Sequence, residues 1–247
     1  MQKLIIVTCL AIASHWSLGG GHQDNAEGGS ISMPSIVPAG AVTTLMVSAK
    51  NPQAYKTYLA ENPNLFSSLG SSASGVCITQ TGLDYPGQMF VWSFYDSVGQ
   101  ALEQFEKYDP LNAPRRLGAM REVKSAAVWK PLKVFEVTPG FERVVRVKVK
   151  PGKLAAFVEA TVKAESEAAA AGNDVKIGVF APIGGGLSEV GKLTLRFVQP
   201  SANAMGSAIE DFYETPPALD SDFVKMMSMI KPISDNIEIC ELVYTRG

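Results

Sequence analysis

The sequence predicts an α+β protein built from two consecutive halves, each in the order β-α-β-β-α-β. Three observations carry that expectation. In Arg143–Glu165, Val145, Val147 and Val149 alternate with Arg146, Lys148 and Lys150, the period of a strand with one buried face. Pro151-Gly152 then breaks the strand, and Leu154, Phe157, Val158, Thr161 and Val162 follow on one helical face. Finally, Ala49-Lys50-Asn51-Pro52 falls on Val149-Lys150-Pro151-Gly152, so the first elements of the halves are offset by about one hundred residues.

In the first half, Val42 to Ala49 alternates as a strand. Asn51 is a helix N-cap with Pro52 at the first helical position, and Tyr55, Tyr58 and Leu59 form the apolar stripe up to Asn62-Pro63. Leu65, Phe66 and Leu69 add a short turn closed by Gly70. Gly75 to Thr81 and Gln88 to Tyr95 read as a hairpin around GLDYPG. Ser97 and Gln100 have capping-box spacing ahead of a stripe of Val98, Ala101, Leu102 and Phe105. A Pro-containing connection carrying Arg115, Arg116 and Arg121 leads to a last strand within Ser125 to Val137.

The second half follows the same order. Its strand is Arg143 to Lys150 and its helix Leu154 to Ala171, stopped at Gly172. Val175 to Phe180 and Lys192 to Val198 flank a PIGGGLSEVG hairpin. Ser201 caps a helix with Met205, Ile209 and Phe212, Asp222 to Ile230 is a short helix, and Asn236 to Tyr244 is the final strand.

The chain has 247 residues, 46% of them hydrophobic, which suffices for a substantial core. A net charge of −2 gives no electrostatic case for binding nucleic acid. At the N-terminus, Lys3, the apolar Leu4 to Ala13 and small residues through Gly19 have the form of a secretory signal, too short to span a bilayer. The expected organisation is therefore a signal peptide at 1–19, a Gly/Ser/Pro-rich flexible linker at 20–40, and halves at 41–138 and 139–247. Such a chain is exported, periplasmic or secreted, with no membrane insertion after signal removal.

Strand, VKPGK and helix within β-α-β-β-α-β resemble the dimeric α+β barrel superfamily, over roughly Val42 to Thr245. Its members include antibiotic-biosynthesis-type monooxygenases, haem-degrading monooxygenases and stress-responsive barrel proteins. The resemblance implies that two tandem ferredoxin-like βαββαβ repeats close face to face into one pseudo-dimeric α+β barrel, with helices outside. A monomer then suffices, because one chain supplies both sheets.

On that architecture each strand has a helix side and a lumen side. Leu193, Leu195 and Phe197 face the helices, leaving Thr194, Arg196 and Val198 for the lumen, with Val144, Arg146 and Lys148 beside them. Carrying the parity through the matching Ser97 and Ser201 caps puts Phe90, Trp92 and Phe94 in the lumen, joined by Thr44, Met46 and Ser48. One wall is then aromatic and the other cationic, suited to an aromatic or amphipathic anion held by Arg146, Lys148 and Arg196. The alternative is a filled barrel, in which these side chains are core and the basic residues pair with Glu238 or reach the mouth. The implied edges bring Cys77, on the second strand of one half, close to Cys240, on the fourth strand of the other, where they form either a disulfide or two buried thiols.

Past the linker, which holds His22, there is no histidine, so neither a zinc or iron site nor a serine- or cysteine-based triad is expected. Haem-degrading members use a helix histidine with a nearby tryptophan; here Phe105 or Phe212 takes the tryptophan's place and no histidine follows. Asp220 and Asp222 lack further ligands, and Glu159, Glu165 and Glu167 read as a solvated helix face. Gly184-Gly185-Gly186 reads as a hairpin tip that opens no helix, and Tyr55 and Tyr58 as packing residues. Neither cofactor nor metal is expected. The sequence favours binding of a small organic molecule. Cofactor-independent oxygenation or isomerisation is the enzymatic alternative, and a non-catalytic structural or interaction protein with a filled barrel is the third.

Overall fold

The computed structural model describes residues 38–246. The expected signal peptide and most of the linker lie outside the described residues. The first half runs β1 (Ala41–Ala49), α1 (Pro52–Glu61), α2 (Asn64–Ser67), β2 (Ala73–Thr81), β3 (Gln88–Tyr95), α3 (Val98–Lys107), α4 (Arg115–Met120) and β4 (Arg121–Pro131). The second runs β5 (Gly140–Val149), α5 (Leu154–Ala170), β6 (Lys176–Ile183), α6 (Gly186–Glu189), β7 (Leu193–Gln199), α7 (Ala202–Glu214), α8 (Asp222–Ser228) and β8 (Ile230–Thr245).

The strands close into one antiparallel barrel in the order β1-β3-β2-β8-β5-β7-β6-β4. Each half contributes a four-stranded sheet, and the seams are β2 with β8 and β4 with β6. Alternation decides what lies inside. Val42, Phe90, Trp92, Ala127, Trp129 and Phe180 form the buried interior with Cys77 and Cys240. The opposite faces carry the layers under the helices: Val47, Tyr55, Leu59, Val76 and Met89 in the first half, Val145, Val147, Phe157, Ile177 and Leu195 in the second. Gly75 makes room for the Trp92 ring, since a Cβ there would sit 2.3 Å from it.

The helix starts have the expected caps. Asn51, Ser97 and Ser201 each accept a hydrogen bond from the backbone N–H three residues on. Four expectations are corrected. β4 begins at Arg121, because α4 feeds straight into it, and ends at Pro131. The segment beyond turns across the barrel end, where Phe135 packs edge-on against Phe180 with ring centroids 5.4 Å apart. β8 begins at Ile230 rather than Asn236, and Pro232 is accommodated where its register with β5 shifts. The triple glycine does open a helix, the single turn α6. Glu165 is not simply solvated: its Oε2 accepts from the buried Lys133 at 2.5 Å and from the Ile177 backbone N–H at 3.0 Å.

Candidate functional site

Two spaces compete as a site: the barrel lumen, and a cavity outside it under the helices of the first half. In the lumen, Phe90, Trp92 and Phe94 face Arg146, Thr194 and Arg196, with Thr44, Met46 and Val144 beside them. Lys148 does not join them. It lies one residue from the end of β5 and is exposed, and Ser48 is likewise spent at its strand end, donating to the Pro86 carbonyl at 2.7 Å.

Both lumen arginines already have carboxylates. Arg196 donates from Nε to Glu142 at 2.6 Å, brings Nη2 to 3.3 Å from Cys77 Sγ, and lies 5.2 Å from the Phe90 ring centroid. Arg146 grips Glu189 of α6 with two hydrogen bonds, 2.8 and 3.1 Å, and lies 5.2 Å from the Trp129 ring. Glu189 and Glu142, rather than Glu238, are thus the partners of these cations. Glu238 sits opposite Glu142 with only Thr79 as partner, at 3.3 Å, and burial pushes its carboxyl up to about 7. Cys77 and Cys240 are directly opposite across the β2–β8 seam and joined in a disulfide. Their sulfurs lie close to Glu142, but bonded sulfurs beside a guanidinium offer no cation site. The space left in the lumen is about 40 Å³, room for a water or two.

The second cavity, about 180 Å³, lies between the outer face of β1 and β3 and the helices α1 to α4. In the second half, the unbroken α5 lays Phe157, Val158 and Ala160 directly on the sheet, sealed by Met226 and Ile230. In the first half the corresponding helix stops at Asn62-Pro63, and α1 and α2 enclose the cavity with Tyr55, Leu59, Leu65 and Phe66. Val91 forms its floor, and Gln104, Phe105, Lys107 and Tyr108 its far wall. Phe105 is therefore partly exposed at a cavity wall, not fully packed as its helical stripe implied.

The polar groups of the lining are hydroxyls, the Gln104 amide and Lys107, and Tyr95 and Arg121 bond to two of them from behind. Tyr95 donates to Gln104 Oε1 at 2.8 Å, which leaves the Gln104 amide hydrogens uncommitted by that bond. Arg121 Nη2 donates to the Tyr108 hydroxyl at 2.6 Å, and its guanidinium lies 6.0 Å from the Tyr55 ring centroid. Burial raises the Tyr55 hydroxyl well above the ordinary phenol range, and the Arg121 charge works against that rise. Among the described residues no carboxylate lines the cavity. Alternation identified the lumen residues, but this cavity had no sequence signal except the Asn62-Pro63 break.

No family model and no curated protein sequence matches the chain. Solved structures do match. A candidate monooxygenase from Lactobacillus acidophilus aligns at a TM-score of 0.53 and 10% identity, covering 83% of this chain and 95% of that one. An anthrone oxidase-like protein aligns at 0.50 and 10%, covering 86% and 99%. A haem-binding protein from Thermus thermophilus aligns at 0.51 and 7%, covering 84% and 94%. The chain therefore has the α+β barrel fold of these structures.

Proposed function

We propose that this chain is a monooxygenase-like barrel protein that binds a small organic molecule, about one aromatic ring in size, in the cavity under the first-half helices. The contrast in free volume carries this reading: about 180 Å³ there against about 40 Å³ in the lumen. An apolar cavity of roughly 150 Å³ is enough to admit benzene. The lumen supports the filled-barrel alternative for its own part, since its cations are already neutralised. Export rests on the signal-like N-terminus, and a buried disulfide is in keeping with an oxidising compartment.

Oxidation of the bound molecule is the second reading, favoured by neighbours named as monooxygenase and anthrone oxidase-like. Cofactor-independent oxygenation needs a base beside the ring; the cavity lining supplies neither carboxylate nor imidazole, only Lys107 and the Tyr55 and Tyr108 hydroxyls that burial raises above the ordinary phenol range, so binding comes first. Haem of the neighbouring type does not fit: His15 and His22, the chain's two histidines, both precede the barrel.

The test is a thermal-shift series on the full chain with toluene, phenol and indole, repeated on Val91→Phe and Phe94→Leu. Binding that raises the melting temperature, is lost in Val91→Phe and survives in Phe94→Leu supports the cavity. Binding lost only in Phe94→Leu returns the site to the lumen. Oxygen uptake with phenol separates catalysis from binding.

A further inference from the structure

Arg121 is the arginine that the fold buries most deeply, at 6% exposure, and it is not neutralised. Its Nε and Nη1 are buried without a hydrogen-bond partner, and among the described residues no carboxylate lies within ion-pair distance of it. The acids that adjoin Tyr108 and Arg121 in the sequence are committed elsewhere. Asp109 caps its own turn through the Leu111 N–H at 2.9 Å, and Glu122 accepts from Lys124 at 2.7 Å. By contrast Arg143, Arg146, Arg196 and Arg246 all meet carboxylates. A buried cation without a counter-charge is costly unless an anion reaches it.

The cation stands one layer behind the cavity. The Tyr108 hydroxyl accepts from Arg121 and so keeps its own proton to donate, and Tyr108 lines the cavity together with Gln104 and Lys107. An anionic oxygen placed at that wall meets donors and no opposing carboxylate, while its ring lies against Leu59, Leu65 and Val91.

We propose that the occupant of this cavity is a small aromatic monoanion, its charged oxygen accepting from the Tyr108 hydroxyl that Arg121 backs; this rests on the cavity reading above. Arg121 is a positioning residue that acts through Tyr108.

The experiment compares benzoate, the near-isosteric neutral benzamide, and toluene by calorimetric titration of the full chain, of Tyr108→Phe and of Arg121→Met. The expected result is benzoate binding about tenfold or more tighter than benzamide in the parent chain, the size of one charge-assisted hydrogen bond. Both variants should bring that ratio close to one. Tyr108→Phe removes a single oxygen and keeps the test valid if Arg121→Met fails to fold. Equal affinities in the parent chain, or a benzoate preference that survives Tyr108→Phe, overturn the inference. Toluene or benzamide binding without benzoate also overturns it and leaves the cavity reading standing. Absence of binding by all three overturns both.

Discussion

Glu142 and Glu238 face one another across the β5–β8 pair, both sealed inside the barrel, at 4% and 3% exposure. Arg196 pairs with the first alone, and Glu238 Oε2 has no partner. The barrel interior thus holds more negative charge than it neutralises at high pH.

This fixes a pH dependence. Burial raises the Glu238 carboxyl from 4.5 to about 7, so the folded chain keeps a proton that the unfolded chain has lost between those values. Stability contributed by that proton is therefore full below pH 4.5, declines as pH rises to about 7, and stays lost above it. Glu238→Gln is expected to lack this decline and to exceed the parent chain by on the order of 1–3 kcal/mol above pH 7. Urea unfolding of both proteins on either side of that range reads the difference; parallel curves would contradict it.

Arg196 has the opposite role. Arg196→Met strands the buried Glu142 carboxylate and should cost roughly 3–5 kcal/mol. Glu142→Leu added to it should recover much of the loss, because two apolar side chains then replace the pair. A double-mutant cycle in urea measures that coupling; additive losses would refute it.

How much of this was legible in the sequence divides by length scale. Period-two alternation was enough to put Phe90, Trp92, Phe94, Arg146 and Arg196 at the lumen, since a strand offers only two faces. The matching edges also put Cys77 opposite Cys240. Alternation says nothing about where a strand ends, and Lys148 fell outside the lumen for that reason. Partners depend on three-dimensional register: Glu189 reaches Arg146 only because α6 turns the hairpin inward, and Arg121 is buried only because α4 delivers it directly into β4. The cavity follows from how far helices stand from a sheet, which no local pattern encodes beyond the Asn62-Pro63 break that ends α1.

The seam disulfide closes a loop with a sequence separation of 163 residues. Reduction should lower stability by roughly 2–4 kcal/mol through the enlarged freedom of the unfolded chain. Urea midpoints with and without dithiothreitol should differ for the parent chain and coincide for Cys77→Ala/Cys240→Ala. A midpoint indifferent to reductant in the parent chain would count against a bonded seam.

Lys133 ties the connection between the halves to the second sheet, donating to the Val134 and Ile177 carbonyls at 2.9 and 2.6 Å and to Glu165. Lys133→Met should leave those acceptors short of a donor and cost about 1–3 kcal/mol. Hydrogen exchange should rise first around Leu132–Val137. Unchanged exchange there would mean that the connection is held by Phe135 alone.

The most direct measurement is anomalous diffraction at the bromine edge from crystals of the protein soaked in bromobenzene. The expected result is a single bromine peak among Leu59, Val91 and Tyr108, under the first-half helices. A peak inside the barrel beside Trp92 and Arg196, with the helix-side cavity closed, would contradict it.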